Sequence, residues 1–242
     1  MPAYMLVSLS IHPSYAGTVM KISIANTALI ALVLSLSSTA KADFGVGFKA
    51  GTLGLGIEGR WAPLPWLDLR AGANQYDFDD TVAEGGINYD ATMSLDTYFL
   101  TGNFRFPASP FRVTAGAFSN GNELQMVSQD TVGAPITIGA TSFNTTEIGA
   151  LGAVTSFAST SPYFGFGYDF EVFGKVGMNF DIGVLWQGEP NVYLLATQYD
   201  TASPATQAAL DDAFMLEMAE LEDAFSNYKA WPVLSLSFVY NF

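Results

Sequence analysis

The sequence contains no cysteine, which excludes disulfides, thiol catalysis and thiolate metal sites. Its single histidine, His12, lies ahead of the predicted export leader, so the mature chain offers no imidazole as a general base. Basic residues are scarce: nine Lys and Arg stand against 23 Asp and Glu, a formal net charge of −14. A nucleic-acid partner, held by Lys and Arg neutralising phosphates, is thereby excluded. So is a general basic surface for clamping lipopolysaccharide, a local basic patch aside. Beyond residue 42 no run is apolar enough to form a membrane-spanning helix. Hydrophobic residues nevertheless make up 50% of the chain and aromatics 14%, and they are dispersed rather than clustered.

The one continuous apolar stretch lies near the start. Met20-Lys21 opens a short basic region, Ile22 to Leu36 is apolar apart from small polar residues, and Ala40-Lys41-Ala42 has the small-x-small pattern of a signal-peptidase site. A run of about fifteen apolar residues is short of the roughly 20 a spanning helix needs. The sequence thus divides into an upstream extension (residues 1–19), a signal peptide (20–42) and a single domain (43–242). All the acidic residues follow Ala42, so removing Lys21 and Lys41 makes the mature chain more acidic still.

Period-two alternation, the mark of strands with one apolar face, runs through that domain. Its clearest instance is the final segment, where Leu234, Leu236, Phe238, Tyr240 and Phe242 alternate with Ser235, Ser237, Val239 and Asn241. Near the other end, Val46, Phe48 and Ala50 share one parity, whereas Leu53, Leu55, Ile57 and Trp61 share the other. That slip near Gly51-Thr52 marks a bulge or a tight reversal. Ala62–Trp66, with two prolines, reads as a turn. If Trp61 faces Leu67 across it, Glu58 falls opposite Arg70 and Arg60 opposite Asp68, as ion pairs in a barrel interior or on the solvated face of a soluble hairpin. Asp77–Ile87 reads as an acidic loop, Asn88–Phe106 as a long strand, Pro107–Pro110 as a second short turn. Asn120–Ala153 reads as a long excursion with a small hairpin near Ile136–Phe143. Strand character resumes from Val154 to Tyr168, Asp169–Gly174 turns the chain, and Val176 to Val184 alternates again.

Short and long connections therefore take turns, as in outer-membrane barrels. The last long connection, Gly188–Lys229, carries the one helical signal, over about 204–228. Ser203-Pro204 supplies an N-cap followed by proline at the first helical position, and Leu210, Phe214, Met218, Leu221 and Phe225 form a stripe. This helix packs on the barrel mouth or neighbouring loops, or serves as a lid or docking surface.

The closing segment Trp231–Phe242 resembles the last strand of bacterial outer-membrane β-barrels. By that resemblance Phe238, Tyr240 and Phe242 form the signal read by the barrel insertion machinery. Lys49–Gly56 and Asp181–Gly188 are similar to stretches of small barrels of the OmpA and OmpX type that carry no assigned activity. The resemblance implies an all-β fold: an eight-stranded antiparallel transmembrane β-barrel with one amphipathic helix in its last long loop. It implies residence in the outer membrane with lipid as partner, and it carries over no functional residue.

Nothing in the chain reads as catalytic. The familiar barrel enzymes use a histidine, absent from the mature chain, and Lys49, Lys175 and Lys229 sit in no recognised motif. Asp77-Phe-Asp-Asp80 lacks the spacing of a calcium loop, and Gly45-x-Gly47 and Gly54-x-Gly56 are not nucleotide fingerprints. No metal, cofactor or catalytic residue is expected. The expected role is envelope-structural or surface-interacting, with a narrow channel or a lateral route for small hydrophobic solutes as the alternative.

Overall fold

The fold follows from alternation acting on long antiparallel strands. A computed structural model describes residues 43–84, 87–129, 133, 135–224 and 229–242; the expected leader and upstream extension lie outside them. Among these residues there are thirteen strands: β1 (Asp43–Gly51), β2 (Gly54–Leu64), β3 (Leu67–Glu84), β4 (Ile87–Arg105), β5 (Phe111–Asn120), β6 (Glu123–Ser128), β7 (Pro135–Ile138), β8 (Thr141–Asn144), β9 (Leu151–Ser156), β10 (Thr160–Phe173), β11 (Val176–Trp186), β12 (Asn191–Ala196) and β13 (Ala230–Asn241). Among the described residues two α-helices, α1 (Thr145–Ile148) and α2 (Pro204–Ala224), and a 3₁₀ turn at Tyr199–Thr201 lie in the connections.

Eight strands pair in a ring: β1 with β2, β2 with β3, β3 with β4, β4 with β5, β5 with β10, β10 with β11, β11 with β13, and β13 back to β1, all antiparallel. The expected total of eight strands is therefore corrected upward. The ring alone accounts for eight, and five more lie in the long connections: the expected hairpin β7–β8, and β6, β9 and β12.

The slip at Gly51-Thr52 is a tight reversal. Gly51 pairs with Gly54, Gly54 takes a φ of +94° that favours glycine, and Thr52 donates its backbone N–H to Leu234 O at 2.9 Å. The Thr52 hydroxyl donates to Pro232 O at 2.9 Å, which ties this turn to a place in β13 where proline has no donor to offer.

Above the ring, β3 and β4 continue together as far as the Glu84–Ile87 pairing. The expected acidic loop at Asp77–Ile87 is instead two paired strand ends, in which the Thr92 hydroxyl donates to Asp79 at 2.7 Å. Acidic side chains are compatible with a strand whose polar row is solvated, and above Gln75 the pattern inverts: Tyr76 and Phe78 take the parity that Arg70 and Asn74 hold lower down, alternating with Asp77 and Asp79. The upper half of β4 pairs with β6, β6 with β9, and β9 with β12. The excursion after Asn120 thus supplies two further sheet strands besides its hairpin. Val154–Tyr168 is broken between β9 and β10, Asp169 to Phe173 remain in β10, and only Gly174-Lys175 turn the chain.

The hairpin β7–β8 forms where expected, with Ile136 opposite Phe143. Ser203 Oγ accepts the backbone N–H of Thr206 at 3.2 Å, capping α2, which starts at Pro204. Leu210 and Phe214 are buried with Ile136, Ile138, Phe143, Ile148 and Ala196, and Met218 packs against them. The helix stripe therefore closes a small separate core over the hairpin and β12. Phe225 lies outside the described residues. Two acidic residues on α2 also satisfy backbone donors: Glu217 accepts from Gly139 N at 2.7 Å and Glu222 from Val192 N at 3.5 Å.

Candidate functional site

The ring sorts side chains by parity. Outward, Phe48 is 76% and Phe238 51% exposed, and Leu55, Leu100, Phe166, Ile182, Leu236 and Tyr240 are exposed as well. From the short-turn end up to the level of Gln75 and Asp96, no outward position in the ring carries a charge. Around the short-turn end exposed rings touch one another: Phe44 stacks on Trp61, Trp66 meets Phe104, Phe104 meets Phe106, Phe111 meets Tyr168, and Tyr240 meets Phe242.

Inward, charge is concentrated. Every arginine of the sequence, Arg60, Arg70, Arg105 and Arg112, meets a carboxylate inside the ring. Asp68, fully buried, receives Arg105 at 2.6 Å, Arg70 at 3.2 Å and Arg60 at 3.4 Å. Asp169 receives Arg105 at 2.8 Å, Arg112 at 2.9 Å and Arg70 at 3.6 Å. Asp181 pairs with Arg112 at 2.6 Å, and Glu58 with Arg70 at 3.6 Å. Four guanidiniums thus face four carboxylates. Neutral donors and acceptors complete the network: Asn103 donates to Asp68 at 2.7 Å, Arg112 to Asn103 at 2.9 Å, and Ser237 to Glu58 at 2.9 Å.

The four residues singled out from the sequence, Glu58, Arg60, Asp68 and Arg70, do come together, but not in the expected register. Trp61 pairs with Leu69, not Leu67, and Arg60 stands directly opposite Arg70. The ladder skips from Trp61–Leu69 to Leu64–Leu67, because Pro63 lacks a donor and is accommodated in a bulge. The turn shrinks to Pro65-Trp66. Two like charges face each other as a result, a destabilising arrangement on its own. It is relieved diagonally by Glu58 and Asp68 and from across the ring by Asp169.

Arg105, Arg112, Asp169 and Asp181 were not paired from sequence. Arg112 and Asp181 each sit on the small-residue parity of an otherwise apolar strand, the signal that would have found them. Asp169 was hidden by its assignment to a turn.

Glycine makes room for this network. A Cβ at Gly167 would lie 2.3 Å from the Arg112 guanidinium carbon. Cβ atoms at Gly165 and Gly183 would each meet the Tyr163 hydroxyl at 2.5 Å. Above the charges sits an apolar layer of Leu53, Phe99, Phe118, Tyr163, Leu185 and Val233. Lys49 bridges the two zones, its ammonium 4.8 Å from the Phe99 ring centre. The space left between them is a void of about 10 Å³ bordered by Lys49, Arg70, Tyr163 and Asp181, room for about one water.

Chemically this interior is a self-compensated ion cluster. Each of its carboxylates is engaged by arginine, and among the described residues no group of His, Cys, Asp and Glu could hold a metal ion.

No family model and no curated protein matches the chain. Among solved structures it is similar to CarO2 of Acinetobacter baumannii, at 22% identity and a TM-score of 0.52, over 83% of this chain and 98% of that one. It is also similar to CarO of Acinetobacter baumannii, at 21% identity and a TM-score of 0.53, over 82% and 97%. A major outer membrane protein of Thermus thermophilus aligns more loosely, at 14% identity and a TM-score of 0.43, over 84% and 100%. The likeness is one of fold.

Proposed function

We propose that the chain is an integral outer-membrane β-barrel protein of the small eight-stranded class, without enzymatic activity, acting in envelope structure or surface interaction. The observation that carries this reading is the uncharged outward row around the whole ring, edged by touching aromatic rings. Water gives such a surface no reason to persist, whereas lipid with an aromatic belt at its interface does. The likeness to CarO supports the fold. In this reading residues 20–42 act as the export leader, and Phe238, Tyr240 and Phe242 are recognised by the barrel insertion machinery. The ring spans the membrane with the short turns on the periplasmic side.

The packed interior supports a structural role over conduction. Eight strands leave space that side chains can fill, and here an ion cluster and an apolar layer lie one above the other across it. The test has two parts. The mature chain, folded in detergent, should migrate faster on a gel before boiling than after, and planar bilayers containing it should show no steady open level. Folding in plain buffer without amphiphile would remove the membrane reading. A steady conductance that collapses on neutralising Asp68 and Asp169 would replace the structural role with a channel.

A further inference from the structure

Above the apolar layer, on the loop side, lies a cavity of about 370 Å³ lined by Thr52, Met93, Leu124, Phe157, Trp231 and Pro232, with Asn122 and Glu123 among its polar residues. Its size is that of a small-molecule site. Trp231 in its lining packs against the Leu53–Phe99–Phe118–Tyr163–Leu185–Val233 layer, which lies between the cavity and the ion cluster.

Two donors there have no partner. Asn122 is 4% exposed, and its Nδ2 is unsatisfied. The amide cannot simply be turned over, because its Oδ1 already accepts the Asp96 N–H at 3.1 Å. The buried Trp231 Nε1 is likewise unsatisfied. A buried donor left unpaired is costly, and a ligand acceptor that reached either one would relieve it.

We propose that this cavity binds a small, neutral, largely apolar molecule bearing one hydrogen-bond acceptor, such as a ketone or ester. Neutrality follows from the lining. It contains no basic residue to receive a carboxylate, and Glu123 would repel one. The apolar walls take the hydrocarbon, and Asn122 or Trp231 takes the oxygen. The site rests on the barrel reading for its setting but not on any transport role, because the layer beneath it closes the way through.

The test uses the mature chain folded in detergent and a photoreactive methyl ketone with an alkyl diazirine on its chain. After irradiation, adducts mapped by mass spectrometry should fall on Met93, Leu124 and Phe157. Undecan-2-one should compete about fivefold better than undecane, the margin of one net hydrogen bond, and Trp231→Phe should narrow that margin. Decanoate should compete poorly. Thr155→Trp, a buried position in the cavity lining opposite Leu124, should abolish the adducts while heat-modifiable mobility is kept, which separates loss of the site from loss of the fold. Adducts confined to outward residues such as Phe48, Leu100 or Phe166, equal competition by ketone and hydrocarbon, or adducts undiminished in Thr155→Trp would each overturn the proposal.

Discussion

At the scale of single residues, Asp68 is the more deeply buried of the two carboxylates on which three arginines converge. Burying an ion pair is not in itself a stabilising choice, but removing one partner strands the other charge away from water, at about 3–5 kcal/mol. Asp68→Ala should therefore lower the unfolding free energy by an amount of that order, read by urea titration of Trp fluorescence in lipid vesicles. Gly167 has a comparable role without any charge. A methyl group there lands on the Arg112 guanidinium, which is only 1% exposed and has no slack to move. Gly167→Ala should destabilise the fold although alanine is a better strand residue than glycine, and a neutral result in the same titration would show that Arg112 can shift. The sequence offered Asp68 only Arg60 as a partner, and the role of Gly167 was not legible in it. A glycine beside an arginine from another strand is a contact between residues far apart in the chain, and alternation alone says only that both point inward.

At the scale of elements, alternation was enough to place most ring strands and to sort their faces, as β11 and β13 show. Phe180 and Ile182 point out while Asn179 and Asp181 point in, and Leu236 and Phe238 point out on either side of buried Ser237. Register was less legible, because it turned on how Pro63 fits at the end of β2, where a bulge moves every partner by two positions. The upper strands were misread for another reason. With polar and acidic residues on a solvated row, β3 beyond Gln75 looks like a loop until its partner strand is known. If lipid bathes the outer face, Phe166→Arg should cost about 2–4 kcal/mol at mid-depth in the same vesicle titration, whereas an equal substitution at Tyr193, on β12 above the ring, should be close to neutral. The helix α2 stabilises a different region. Leu210→Ala should loosen the small loop core by about 2–5 kcal/mol, seen as faster proteolysis within the loops, with the heat-modifiable transition of the ring unchanged.

At the scale of the whole molecule, charge is segregated. The arginines are all inside the ring, where they are matched, and most of the acidic excess lies in the long connections. Salt screens exposed charges far more than buried ones, so the thermal midpoint of the folded ring should barely change between low and molar salt; a steep salt dependence would place the cluster in contact with solvent. The same matching has a consequence for inheritance. Because Asp68 and Asp169 are each shared among three arginines, no member of the set can be exchanged alone without leaving a charge unanswered. Positions on β2, β3, β4, β5, β10 and β11 are therefore bound to drift together or not at all. Among descendants of this chain, the eight positions should change as a linked group, while the outward row beside them remains free to trade one apolar residue for another.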